Sequence, residues 1–352
     1  MPSSLFLDLA RRRLRMPIGA DLILHETDDA NACKHDASLG AVVEKAARRY
    51  NTPLAFPLMD LTLEKADLLD FLDVPAAEVD SFHFDEPPAP ATVGSVIRAA
   101  SRPFPRRIQA NQAAVRHIAE KTDLLPVGML IGPFSLMTKL VADPIAPVAL
   151  AGRGVTAGED SSVCLIERCL ALAEATVLRS ARAQIEAGAR AMIVCEPAAN
   201  SVYISPRQLR AGSGIFERFV LAPNRRLREL LGSQDVDLIF HNCGELTTSM
   251  VRQFAEELKP SMISLGSSRK LWEDAAVVPK DIVLFGNLPS RMFYSDAVMP
   301  LEEVRRRTIE LRDKMADCGH PHILGSECDV LHVPEFAETI RRKVDEMLRC
   351  EG

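Results

Sequence analysis

Residues Val236–Glu245, VDLIFHNCGE, open with an apolar run of strand length, Val236 to Phe240, that turns polar at His241. Side chains two apart on an extended strand point to the same side. His241 and Cys243 therefore leave the end of a buried strand together, and an imidazole beside a thiolate is half of a zinc site. Gly244 then releases the chain into a new helix. The segment His322–Val330, HILGSECDV, has the same pattern: a short apolar run, Gly325, then Cys328 just beyond. The two cysteines are 85 positions apart. In a barrel of parallel strands, however, the C-terminal ends of distant strands converge on one mouth. His241, Cys243 and Cys328 could then share one metal with a fourth position open. The competing account is packing, since an H-x-C pair alone is a weak signal and most free cysteines are small buried hydrophobes. The placement of both sulfurs at strand ends favours the metal.

Working outward, the spacing predicts regular alternation. Strands are expected at Leu54–Met59, Leu125–Ile131, Ala191–Cys195, Val236–Phe240, Met262–Leu265, Ile282–Phe285 and His322–Leu324, most of them followed by a helix. Helices are expected at Leu61–Leu72, Arg107–Lys121, Ser161–Glu186, Gly244–Leu258, Leu301–Ala316 and Pro334–Leu348. Such alternation means an α/β protein with a parallel sheet. Polar residues and glycines clustered at the strand exits favour a closed (β/α)8 TIM barrel. The eighth strand is expected in Ala20–Leu24 or within the proline-rich stretch 73–105, which reads as a surface excursion. Residues 1–50 read as an N-terminal helical lead-in and 51–352 as a single barrel domain. The loop 151–160, AGRGVTAGED, lacks the Gly-Lys-Ser/Thr ending of a phosphate loop and reads as a flexible loop that could serve as a lid.

The 352 residues can bury one large core, and 47% apolar with 26% charged residues is ordinary for a globular protein. A net charge of −6 and 5% aromatic residues argue against nucleic-acid binding. No apolar run reaches the roughly 20 residues needed to span a bilayer. The N-terminus, MPSSLFLDLARRRLRMP, places its arginines after the apolar stretch, the reverse of a secretory signal. Eight cysteines without paired spacings fit free thiols in a reducing compartment, so a cytoplasmic location is expected. The composition leaves a homodimer open.

Several strand exits carry polar candidates. Asp60 and Glu196 are candidate catalytic carboxylates, with a helix N-cap and a solvated turn as the alternatives. Asn287 and Tyr203 are candidate cofactor-binding residues, although Asn287 could equally brace a turn. Glu327 and Asp329 flank Cys328 and are expected to support it from behind. His320 and His322 fall at the start of a strand, the end of a barrel opposite its active face.

On the segments FPLMDLTLEKADLL, IGPFSLMTKLV, EAGARAMIVCEPAANSVYISP, FHNCGE, LFGNLPS and GSECDVLHVPEFAETI, in that order, the chain resembles the uroporphyrinogen decarboxylase superfamily of (β/α)8 barrels over about residues 50–348. Decarboxylases of that superfamily use no metal and hold substrate carboxylates with an arginine-rich N-terminal motif. RRRLRMP lacks the glycine of that motif. The other branch is similar to methylcobamide:coenzyme M methyltransferases, which hold zinc with an H-x-C pair and a distant Cys. His241, Cys243 and Cys328 match that set. The resemblance implies Zn2+ as cofactor, a methyl-corrinoid donor on a separate corrinoid protein, and a small thiol such as coenzyme M as acceptor. Asp60 matches the acidic residue decarboxylases use at the pyrrole nitrogens. One departure stands out: after ISLGSS no carboxylate follows until Glu273, where relatives can place a fourth zinc contact. A metal-free tetrapyrrole decarboxylase centred on Asp60 is the runner-up. A non-catalytic corrinoid or methyl-carrier partner on the same barrel is the third reading.

Overall fold

A computed structural model of the chain describes residues 4–98 and 102–350. Eight parallel strands form one curled sheet: β1 (Arg15–Ile18), β2 (Leu54–Ala55), β3 (Leu125–Ile131), β4 (Ala191–Cys195), β5 (Asp237–Asn242), β6 (Met262–Leu265), β7 (Val283–Leu288) and β8 (His322–Asp329). Their order is β1-β8-β7-β6-β5-β4-β3-β2, as a (β/α)8 barrel requires. The end strands β1 and β2 meet through side chains. Thr52 Oγ1 lies 3.2 Å from Met16 Sδ, and Leu54 and Phe56 share a core with Met16 and Ile18.

The strand alternation sorts the apolar residues into two layers. Val127, Met129, Ile193, Ile239, Phe285 and Ile323 fill the barrel interior. Leu130, Met192, Val194, Phe240, Ile263 and Leu284 face outward into the helical layer. Each such fully buried side chain contributes roughly 1.5–3 kcal/mol. The principal helices are α1 (Ser4–Arg11), α2 (Leu39–Arg49), α3 (Leu63–Phe71), α4 (Arg106–Lys121), α5 (Pro133–Leu140), α6 (Ser161–Glu186), α7 (Ala222–Ser233), α8 (Thr248–Gln253), α9 (Leu301–Cys318) and α10 (Ala337–Arg349). α1 plugs the N-terminal end of the barrel with Phe6, Leu9 and Ala10, which join the interior core. No helix among the described residues is long and apolar enough to cross a membrane.

Two sequence expectations change. The eighth strand is not in Ala20–Leu24, where Asp21–Leu24 is a short helix, nor among the described residues of 73–105, which hold Pro90–Arg98 as a helix; residues 99–101 lie outside the described residues. It is β1, inside the segment read as a lead-in, hydrogen-bonded to β8. The Leu54–Met59 strand shortens to two residues because only Leu54 and Ala55 pair with β3.

One buried carboxyl ties stability to pH. Glu64, on α3, accepts from Ser180 Oγ at 2.9 Å and from Ile131 N at 3.5 Å, and burial pushes it from 4.5 up to about 7. A carboxyl with a raised folded-state pKa holds its proton more tightly in the folded chain. Its contribution is full below about pH 4.5 and is lost as pH rises through 7, at up to about 1.4 kcal/mol per pH unit. Replacing Glu64 with Gln is expected to flatten that part of the stability curve. Urea unfolding at several pH values measures it, and an unchanged slope would refute the assignment.

Candidate metal centre

The β5–β6 register sets the first ligand. His241 pairs with Ser264 across the two strands, and its Nδ1 lies 2.9 Å from Ser264 Oγ. With that N–H given to the hydroxyl, Nε2 keeps its lone pair. Nε2 is buried and has no hydrogen-bond partner among the described residues. A buried polar atom without a partner costs about 1–3 kcal/mol unless a ligand takes it. Cys243 and Cys328 supply that ligand set: one atom each of His241, Cys243 and Cys328 lie within 4.8 Å of one another. A nitrogen and two sulfurs, with both cysteines partly accessible, suit a zinc ion that keeps an open position.

Cys328 lies where β8 departs from regular pairing with β1. Met16 pairs with Gly325, but Ile18, two residues on, pairs with Asp329 four residues on. The extra residues form a bulge, which re-aims side chains beside it. Ser326 Oγ fills the gap in the ladder by accepting from Ile18 N at 2.9 Å.

The two thiols shift each other in opposite directions. Hydrogen bonding from Cys328, with His241 beside it, draws the Cys243 thiol well below its usual range, against the opposing effect of burial. Cys328 is pushed up by its hydrogen bond to Cys243 and by burial. Cys195, paired with His241 on β4 and fully buried, is also pushed up by burial and remains a thiol. Around the sulfurs stand the Met59 thioether, 3.7 Å from Cys328 Sγ, and the guanidinium of Arg291. Arg291 also binds Glu327 at 3.1 Å, and Glu327 Oε2 accepts from Ser267 N at 2.9 Å. Glu327 thus fastens the loop after β6 to the β8 exit, while Asp329 Oδ2 accepts from Met59 N at 3.3 Å on the β2 side. Asp329 packs so closely on Gly19 (φ +86°) that a Cβ there would lie 2.0 Å from its Oδ1. Glycine is required there on both counts.

The other candidates go elsewhere. Glu196 is fully buried and saturated: Oε1 accepts from Phe134 N and Asn224 Nδ2, Oε2 from Ser135 N and Oγ. It caps the α5 N-terminus from a distance, which corrects the expectation of a carboxylate facing the mouth. Asn287 is buried and donates to the Gly266 and Arg269 carbonyls at 2.7 and 2.9 Å. It is the turn brace of the two readings, not a free ligand-binding amide. Tyr203 is half-buried, edge-on to Phe134 with ring centroids 6.3 Å apart. Asp60 is paired with Arg107 at 3.3 Å and accepts from Thr62 N and Oγ1. His320 and His322 bond backbone carbonyls at the N-terminal end of the sheet. Ser264, Arg291 and Met59 were missed because strand register and loop packing, not local pattern, bring them to the site.

A profile of the uroporphyrinogen decarboxylase (URO-D) family matches residues 47–345. The chain belongs to the uroporphyrinogen decarboxylase family. No curated protein matches it by sequence. Among solved structures, a methyltransferase from Methanosarcina mazei is similar in fold, with 15% identity, a TM-score of 0.65, and 98% of this chain and 97% of that one covered. The E. coli 3-keto-D-glucoside 4-epimerase YcjR is more distant, at 13% identity, TM-score 0.39, and 81% and 95% coverage. For this member of the URO-D family, the epimerase score is too low to bear on the fold.

Proposed function

We propose that this URO-D family member is a zinc-dependent methyltransferase that moves a methyl group from a methylated corrinoid, carried on a separate corrinoid protein, to a small thiol of the coenzyme M type. The observation that carries this reading is the buried, unpartnered Nε2 of His241 grouped with the sulfurs of Cys243 and Cys328. The fold shared along nearly its full length with a protein named as a methyltransferase supports it. A zinc ion held there would supply Lewis acidity that favours the thiolate form of the acceptor at neutral pH. The chain's own residues do the rest. Ser264 fixes the His241 ring, which keeps Nε2 aimed into the site. Arg291, with 61% of its side chain exposed, places a positive charge beside the sulfurs, which favours an acceptor with an anionic tail.

The test is loss of methylcobalamin absorbance in the presence of coenzyme M and a panel of other small thiols. Turnover is expected in the zinc-loaded protein and is expected to vanish after chelation. Carbon dioxide release from uroporphyrinogen by metal-free protein would replace this reading with the decarboxylase one, with Asp60 at its centre.

A further inference from the structure

We propose that the face of the barrel opposite the metal centre carries a binding site for a small polyphosphate anion. A crevice of about 760 Å³ opens there, within the usual size of small-ligand sites. Its walls come from segments that all lie at the N-terminal end of the strands: the link from α1 to β1, the end of α2 with the turn into β2, the turn into β3, and the end of α10. Among the described residues six arginines line it, Arg12, Arg13, Arg15, Arg48, Arg49 and Arg349, against one acidic residue, Asp123. This is a strong local excess on a chain whose net charge is −6.

Ordinary structural duties account for only part of that charge. Arg48 binds Asp123 and lies 3.6 Å from Glu44, while Arg49 and Arg349 share Asp345. The C-termini of α1, α2, α4 and α10 meet here, and each carries roughly half a negative charge. Among the described residues, three carboxylates and four helix ends still leave about one positive charge in excess. Arg12 and Arg13 are exposed and have no ion-pair partner among the described residues. Arg15 gives Nη1 to the neutral carbonyl of Cys350 at 2.8 Å and has no carboxylate partner among the described residues.

The backbone turns tightly at the crevice. Arg13 and Asn51, both on the crevice, adopt left-handed φ values of +54° and +50°. Both residues close the helix before them, which turns the chain sharply into the strand and holds the adjoining arginines at the crevice. Arginine forks match phosphate oxygens two at a time, which a point-like ammonium cannot do. Several guanidinium groups around a polar crevice therefore suit an anion with two or more phosphates.

The experiment is calorimetric titration of the purified full-length chain with pyrophosphate, tripolyphosphate, ATP and citrate at about 0.15 M salt, where weak long-range attraction is screened. Tripolyphosphate or ATP is expected to bind once per chain, and Arg12→Gln with Arg13→Gln is expected to weaken that binding at least tenfold. Both side chains are exposed and remote from the metal ligands, so zinc content serves as the check that the double variant is intact. Zinc chelation by the titrants contributes equally to both proteins and cancels in the comparison. Tighter binding of ATP than of tripolyphosphate assigns a nucleotide, and equal binding assigns an inorganic chain. Equal affinities in wild type and variant, citrate binding as tight as tripolyphosphate, or no binding at all would overturn the proposal.

Discussion

Cys243→Ser is expected to carry far less zinc than the wild-type protein, which should hold about one ion per chain, and to lose at least about a hundredfold in methyl transfer. The size follows from the ligand count. Zinc binding at closed protein sites is worth roughly 10–16 kcal/mol in all, so one thiolate of three or four ligands accounts for several kcal/mol. Serine keeps the shape but not the soft, ionised sulfur, and the two remaining ligand atoms, His241 Nε2 and Cys328 Sγ, cannot hold the ion as a pair. Ser264→Ala should sit between the two, because it leaves all three ligands in place and removes only the partner of His241 Nδ1. Loss of such an outer partner typically costs ten- to a hundredfold in metal affinity. Cys318→Ser, far from the mouth at the end of α9, should change nothing. Metal analysis of the four proteins reads the series directly, and undiminished zinc in Cys243→Ser would sink the site.

The three proposed ligands were legible because each sits where a local pattern is strong: a clean apolar run that ends abruptly in His, Cys or Gly. β3, β4 and α6 fall where the periodicity places them for the same reason. The eighth strand was not legible. Arg15–Ile18 is four residues long, contains Pro17 and follows a run of arginines, so nothing in its pattern marks a strand. It exists because β8 offers it an edge, which is a tertiary fact. The β8 bulge beside Cys328 is likewise invisible, since it depends on which residues of β1 it faces. The surroundings of the site were hidden in a third way. A carboxylate such as Glu196 or an amide such as Asn287 at a strand exit looks alike from the sequence whether it faces solvent, substrate or backbone. Its donors come from residues tens of positions away.

Glu196 therefore gives the second large effect, and one that separates structure from catalysis. Its two oxygens receive four donors, at 3.0 and 2.9 Å from Phe134 N and Asn224 Nδ2 and at 2.8 and 2.6 Å from Ser135 N and Oγ. Two of these are free amides in the first turn of α5, the end of a helix that favours negative charge. Gly132 lets the carboxyl come this close, since a Cβ there would lie 2.1 Å from its Cδ. In Glu196→Ala the donors stay buried without acceptors, each at about 1–3 kcal/mol, for a total of about 3–6 kcal/mol once some relaxation is allowed. The thermal unfolding midpoint should fall by about 4–8 °C. Glu196→Gln should cost less, since its amide oxygen still serves two donors while its NH2 group faces the others. If Glu196 is a brace, the folded fraction of either variant keeps its zinc and its turnover per bound zinc. If it acts on substrate instead, Glu196→Gln would keep its stability and lose turnover, and that pattern would return the carboxylate to the list of reacting groups.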